Sequence, residues 1–336
     1  MFNKNFFIHI CLAIGAVFFA IILFLFAGLP SITKNAEYGV TFSRYYAQDE
    51  LHIDGNKILI AALDDLGIRR FRLSAYWGFI ENKPAKWDFA TLDREIKEIS
   101  KRGGTVVLAV GEKLPRWPEC WGPEWWKALP RDEQRSYTLR YIERVVNQYK
   151  NNPTIVAWQV ENEAHFVYGD CPLPDPDFLR QEIALVKKLD PGRPVVTTDS
   201  GELSAWISAG RLVDKLGVSV YRVVRTKQNF IFRYWFLPPH FYFHKALIAR
   251  LFGVRQIYVS EFQMEPWNDK HLSDTPVDKQ LETMSLKQME KNFYFAERMQ
   301  LSPVDFWGVE WWYWMKEKGG HPEFWETAKT FFKNHQ

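Results

Sequence analysis

From about residue 38 onward, apolar positions return in two alternating rhythms. Short β-branched or apolar runs bounded by Gly, Pro, Asn or Asp give way to longer segments with apolar residues at helical spacing. Tyr38–Ser43 is the first short run, and Lys57–Leu66 follows as a short amphipathic helix. Arg69–Ser74 reads as a second strand with Tyr76 and Trp77 at its exit. Leu92–Lys101 is helical and ends at Gly103-Gly104, and Thr105–Val110 is a third strand. Arg131–Lys150 is a long charged helix with Tyr141, Val145, Val146 and Tyr149 on one face. Thr154–Val160, after the breaker run Asn151-Asn152-Pro153, is the fourth strand, and Phe178–Leu189 is the helix after it, stopped by Asp190-Pro191-Gly192. Pro194–Thr198 and Gly217–Tyr221 are strands five and six, with a helix expected over Leu203–Leu216. A seventh strand begins near Gln256, and Ser285–Met299 is a helix with a Ser cap. Val304–Val309 is the eighth strand and Pro322–Phe332 the closing helix. Eight such alternations predict an α/β fold, a single (β/α)8 TIM barrel.

Ahead of the alternation lies a different pattern. Ile10–Leu29 is 20 residues without a charge. At about 1.5 Å per residue it spans the hydrocarbon core of a bilayer as a helix. A secretory apolar core runs about 7–15 residues, and Leu25-Phe26-Ala27 is a poor cleavage site. An uncleaved signal anchor is therefore favoured over a removed signal peptide. Lys4 before the run places residues 1–9 inside as a cytoplasmic stub. The predicted layout is a transmembrane helix at 10–29, a linker at 30–37 and the barrel at 38–336, with the catalytic part extracytoplasmic, or secreted if the segment is cleaved. Cys11 falls within the membrane run.

Composition adds limits. The 47% hydrophobic content of the 336 residues supplies a large core and excludes disorder. A net charge of +3 gives no ground for a nucleic-acid partner. Fifteen Trp serve core filling, and some suit stacking on sugar rings. The sequence holds neither a Gly-rich phosphate loop nor a metal-binding His pair. No cofactor and no metal are expected, and the chain is expected to be a monomer.

Two short strands end in glutamate: Thr154–Val160 runs into Glu161-Asn162-Glu163, and Gln256–Ser260 into Glu261. A carboxylate at the exit of a buried strand is costly unless it is paired, hydrogen-bonded or used. Three βα units of roughly 30 residues fit between Glu163 and Glu261, which puts them on strands four and seven, facing each other across the barrel mouth where active sites of this fold lie.

Trp158-Gln159-Val160-Glu161-Asn162-Glu163 resembles the strand-four acid/base motif of the clan A glycoside hydrolases, and Ser260-Glu261-Phe262 resembles their strand-seven nucleophile motif. The likeness runs over nearly the whole chain after residue 37 and is nearest to families 5 and 42. It implies a retaining O-glycoside hydrolase with Glu163 as acid/base and Glu261 as nucleophile, which needs the two carboxyl groups about 5–5.5 Å apart. A raised pKa is expected for the acid/base beside an ionised nucleophile. The resemblance further implies that Arg72 hydrogen-bonds the nucleophile, that Asn162 holds the substrate 2-hydroxyl and that the Tyr221 hydroxyl contacts the nucleophile. Trp311 or Trp312 is implied as the floor of the sugar site. The chain departs from family 5 in lacking a His after strand three, where Val110-Gly111-Glu112-Lys113 stands, and in having Ala164 after Glu163. Glu112, Glu161, Glu265 and Glu310 are rival carboxylates, with Glu161 in register one layer below Glu163 on an ideal strand. His165 reads as a loop residue beside the site.

The partner expected is an oligosaccharide, polysaccharide or glycoconjugate. A transglycosylase would use the same residues, and a membrane-tethered carbohydrate-binding protein on a silent barrel is the reading from another class. Cys120 and Cys171 fall in adjacent loops on one face, within reach of a disulfide. The stretch 222–250 reads as an insertion with six Lys/Arg (Arg222, Arg225, Lys227, Arg233, Lys245, Arg250), no acid and many aromatics. It folds over the rim or meets an anionic membrane surface.

Overall fold

The computed structural model describes residues 4–226, 228–268 and 270–335, with side chains from Ile8 onward, so Lys227 of the basic count lies outside the described residues. Eight parallel strands close a barrel: β1 (Tyr38–Thr41), β2 (Arg70–Ser74), β3 (Thr105–Val110), β4 (Ile155–Val160), β5 (Val195–Ser200) and β6 (Lys215–Val220), followed after a small hairpin by β9 (Gln256–Gln263) and β10 (Val304–Trp307), which pairs back to β1. The hairpin is β7 (Val223–Arg225) antiparallel to β8 (Ile231–Arg233). The TIM barrel expected from the alternating pattern is the fold found.

Helices begin where the sequence supplies caps. Asp175 accepts from the Phe178 amide at 3.0 Å, with Pro176 opening Pro176–Leu189. Ser285 caps Leu286–Ala296 by accepting from the Gln288 amide. Each satisfies an amide that the first turn leaves without a partner.

Inside the barrel, side chains two apart along a strand stack in layers. Val107, Ala157, Val196 and Tyr258 form one apolar layer, buried apart from the main core. One step toward the strand exits, the layer turns polar with Arg72, Gln159, Thr198 and Ser219, all buried. The β9 register slips there: Val218 pairs Val259, but Ser219 pairs Glu261. This bulge sets Glu261, rather than Ser260, opposite the polar layer, a common device for aiming a side chain beside a site. Gly217 makes room for it, since a Cβ there would stand 2.5 Å from Ser260 Oγ.

Two predicted elements differ. The helix expected over Leu203–Leu216 is a single turn, Ile207–Gly210. The polar run Asp199-Ser200 continues β5, Trp206 holds a left-handed backbone (φ 68°) that no helix can run through, and β6 already starts at Lys215. The eighth strand stops at Trp307, where Gly308 (φ 134°) turns the chain into the helix Val309–Glu317.

The apolar N-terminal helix runs Lys4–Phe26, and Ile8–Phe26 is long and apolar enough to cross a membrane. It stops three residues short of the predicted Leu29. Its last turn packs on the helix Pro239–Leu251: Phe24 stacks on His244 at 4.6 Å, and Phe26 meets Phe241 at 5.3 Å. Pro239–Leu251 is the barrel's own helix leading to β9, so the extra material in 222–250 ends at Pro238. The predicted stretch 222–250 as a whole is mixed. Tyr242 is fully buried, while Phe230, Phe232, Trp235 and Phe236 are exposed.

Candidate active site

All eight strands point the same way, so their exits share one mouth, and the polar layer lies directly beneath it. Arg72 is its centre. The guanidinium is 0% exposed and spends its donors on five groups: Nε on Gln159 Oε1 (2.8 Å), Nη2 on Asn162 Oδ1 (2.6 Å), and Nη1 on Glu261 Oε2 (2.9 Å), the Ser260 carbonyl (3.2 Å) and Thr41 Oγ1 (3.4 Å). A buried cation needs such a set of acceptors. Tyr221 donates its hydroxyl to the other Glu261 oxygen, Oε1. Glu261 is thus held between a cation and a phenol, the contacts that the resemblance implied for Arg72 and Tyr221.

Glu163 is treated differently. Among the described residues no cation pairs with its carboxylate, and Lys113 Nζ donates only to the Glu163 backbone carbonyl at 3.3 Å; Ser219 Oγ donates to Oε1, and the Glu163 amide donates to Thr198 Oγ1 at 2.7 Å. The carboxyl is partly open to the mouth, yet packed closely enough that desolvation, followed by the nearby Glu261 charge, raises it to about 7. Ser219, in register with Glu261 on β6, touches Glu163 across the mouth, so one strand links the two glutamates.

Asn162 accepts from Arg72 and from Thr198 Oγ1 (3.0 Å), which fixes its amide. Its Nδ2 donates to Glu119 Oε2 at 3.2 Å. Glu119 is a third carboxyl in the mouth, absent from the sequence expectations. Burial first and Glu163 second push it well above the usual carboxylate range. It arrives from the loop after β3, with φ 72°, next to Cys120. Cys120 is disulfide-bonded to Cys171 with Cα atoms 5.3 Å apart, as the loop placement predicted. Only the adjacency of Glu119 to that cysteine could have hinted at its position.

The rival carboxylates sort out by place. Glu161 is not stacked beneath Glu163. Its left-handed backbone (φ 59°) swings it sideways, where it accepts from the Glu112 and Lys113 amides at 2.6 Å each. Gly111 permits this, because a Cβ there would lie 2.2 Å from Glu161 Oε1. Burial first and Glu112 second raise Glu161 to about 7. Burial and Glu161 raise neighbouring Glu182 well above its usual range. Glu112 pairs Arg131 at 2.9 Å. Glu265 and Glu310 share the buried Arg116, which lies over the rings of Tyr46 (3.6 Å) and Trp307 (3.9 Å).

Trp311 and Trp312 require correction. Both are 0% exposed on Val309–Glu317, donating to Gln280 Oε1 (2.7 Å) and the Met264 carbonyl (2.8 Å), so neither can floor a sugar site. The tryptophan at the strand exit is Trp307, whose Nε1 donates to Glu265 at 2.7 Å. The strand expected from the sequence, Val304–Val309, runs past it. His165 bonds Ser208 Oγ at 2.9 Å and stays a loop residue. Among the described residues there is no cluster of metal-binding side chains.

Residues 114–256 match the family model for "Glycosyl hydrolases family 2, TIM barrel domain". Over 155 residues the chain is 32% identical to the beta-galactosidase BbgII of Bifidobacterium bifidum, a stretch that is 40% of this chain and 22% of that protein. The match thus spans about a fifth of that curated relative's length. Among solved structures, the beta-galactosidase of Halorubrum lacusprofundi aligns with a TM-score of 0.58 at 17% identity, over 89% of this chain and 58% of that one. Xylanase 10B of Thermotoga maritima aligns at 0.55 and 16% identity, over 81% and 83%. At these identities the structures share the fold. With the matched segment, the resemblance to clan A glycoside hydrolases holds.

Proposed function

We propose that the chain is a retaining O-glycoside hydrolase in which Glu163 is the acid/base and Glu261 the nucleophile. The observation that carries the reading is the opposite treatment of two carboxyls in one mouth. Glu261 receives Arg72 and Tyr221 on its two oxygens, the support a charged nucleophile needs. Among the described residues no cation pairs with the Glu163 carboxylate, and burial with the Glu261 charge outweighs the more distant Lys113 and raises it to about 7, the condition for holding a proton near neutral pH.

In the first step a Glu261 oxygen attacks the anomeric carbon while Glu163 gives its proton to the departing glycosidic oxygen. The leaving sugar or alcohol departs neutral, and a glycosyl ester to Glu261 remains. In the second step Glu163 takes a proton from water, whose oxygen attacks the anomeric carbon and frees Glu261. A sugar alcohol in place of that water gives transglycosylation with the same residues. Asn162, fixed through its oxygen, offers its amide to a sugar hydroxyl beside the anomeric carbon, and Trp307 supplies the floor. A carbohydrate-binding protein without turnover would have no use for a proton held at Glu163. β-Galactosides are the first substrates to try, since the curated relatives are named beta-galactosidases.

The N-terminal helix is read as a signal anchor that leaves the barrel outside the cytoplasm. The Cys120–Cys171 bond fits an oxidising compartment. The test is an activated 2-fluoroglycoside with the full chain. Peptide mass spectrometry should find the sugar on Glu261, and azide should restore turnover of an aryl glycoside to Glu163→Ala. A label on another residue, or an active Glu261→Gln protein, would overturn the assignment.

A further inference from the structure

Most of the large apolar side chains exposed on this barrel lie at one end. Beyond residue 37, ten of the thirteen described exposed ones lie on segments that follow strand exits, so they ring the mouth. Phe79 follows β2, Trp117 follows β3, Val167 and Leu173 follow β4, Leu203 follows β5, and Trp235 follows the β7–β8 hairpin. Their exposures run from 51% for Trp117 to 82% for Trp235. Exposed apolar side chains gathered on one face of a barrel mark an interaction site. Sugar stacking accounts for aromatic rings, but Val167, Leu173 and Leu203 have no flat face to offer a pyranose.

The N-terminal helix shows what this ring faces. Pro239–Leu251 runs from the rim back to the start of β9, because β6 ends at the mouth and β9 begins at the opposite end. The last turn of Lys4–Phe26 packs on the first half of that helix, at His240, Phe241 and His244. The rest of the apolar helix is exposed, away from the barrel. A bilayer that holds it therefore meets the barrel at the level of the rim. The Trp235–Phe236 turn comes just before those contact residues, and aromatic side chains suit the interfacial depth.

We infer that the apolar rim docks on the bilayer surface, so that the catalytic mouth opens toward the membrane and takes glycans carried on membrane lipids. This rests on the glycosidase and anchor readings above. The rim side chains insert shallowly among headgroups. The lipid-borne glycan enters the mouth from that surface, and its lipid stays in the leaflet.

The test uses the full chain with Cys11→Ser, reconstituted in vesicles of phosphatidylcholine and phosphatidylglycerol. A nitroxide is attached at Leu203→Cys on the rim or at Leu251→Cys near the opposite end. The rim label should collide more with lipid-soluble oxygen and at least about tenfold less with a water-soluble nickel chelate than the Leu251 label. Equal nickel access at the two positions overturns docking, whatever the activity. A protein carrying Leu173→Asp, Leu203→Asp and Trp235→Asp should lose at least about tenfold in kcat/KM on lactosylceramide in those vesicles, roughly 1.4 kcal/mol. Its kcat/KM on soluble nitrophenyl galactoside should be unchanged. Equal loss on both substrates, or none on either, overturns the lipid-borne substrate. Failure of the parent to turn over any soluble aryl glycoside counts against the glycosidase reading, and the labels still decide docking.

Discussion

Replacing Ser219 with alanine should move the alkaline limb of the pH–rate profile upward. The Ser219 hydroxyl donates to Glu163 Oε1 and favours its charged form. Burial and the Glu261 charge act in the opposite direction and win, leaving Glu163 at about 7. Removing the donor leaves those two unopposed, so the proton binds more tightly. A hydrogen bond to a charged group contributes about 1.5–3 kcal/mol. Glu163 is partly open to solvent, and water can take up part of the loss, so the lower end applies. One pKa unit corresponds to about 1.36 kcal/mol, which puts the expected rise at about one unit. The assay is kcat/KM against pH on an alkyl galactoside, whose poor leaving group needs a protonated Glu163. The limb that falls near pH 7 in the parent should fall near pH 8 in Ser219→Ala, as about 7 plus one unit requires. An alkaline limb that stays put or moves down would refute both the assignment of Glu163 and the role of Ser219.

Arg116→Met should cost about 3–5 kcal/mol of unfolding free energy, because Glu265 and Glu310 are left as buried charges without their cation; denaturant titration measures it. Glu161 is raised to about 7 and Glu182 is raised as well, so the stability they contribute is complete below the ordinary glutamate range and is lost as pH rises through about 7. Thermal melts across that range should show this fall, and Glu182→Gln should flatten it. Alkylation of unfolded protein without reductant should modify Cys11 alone. Reduction should cost about 4 kcal/mol for the 51-residue separation, if the gain comes from restricting the unfolded chain.

The barrel was legible because its strands are short β-branched runs and its helices carry their own stops. Glu163 and Glu261 stood out because each sits at a strand end, whereas Arg72, Asn162 and Tyr221 entered through the resemblance to clan A glycoside hydrolases; the structure gathers all five at one mouth. What failed was local backbone direction. The turn at Gly308 moved Trp311 and Trp312 into the core and left Trp307 at the exit. The positive φ at Glu161 took it out of register with Glu163. The bulge in β9 leaves no mark in residue types, and Glu119 arrives through a loop whose path depends on a bond 51 residues away. Such features follow from tertiary contacts, which a one-dimensional pattern does not carry.

Four charged residues at the mouth, Arg116 (φ 82°), Glu119 (φ 72°), Glu161 (φ 59°) and Glu163 (φ 44°), hold a left-handed backbone. That conformation costs roughly 1–2 kcal/mol per residue when a Cβ is present, and glycine or asparagine relieves it. Laboratory evolution for heat resistance would therefore be drawn to these positions. At Glu163, on the mechanism proposed above, variants that survive higher temperature as Gly or Asn should be the ones that have lost turnover. If Glu163 holds the proposed proton, a screen that scores melting alone would discard it, so thermostabilisation of this scaffold is best run with turnover as a second gate.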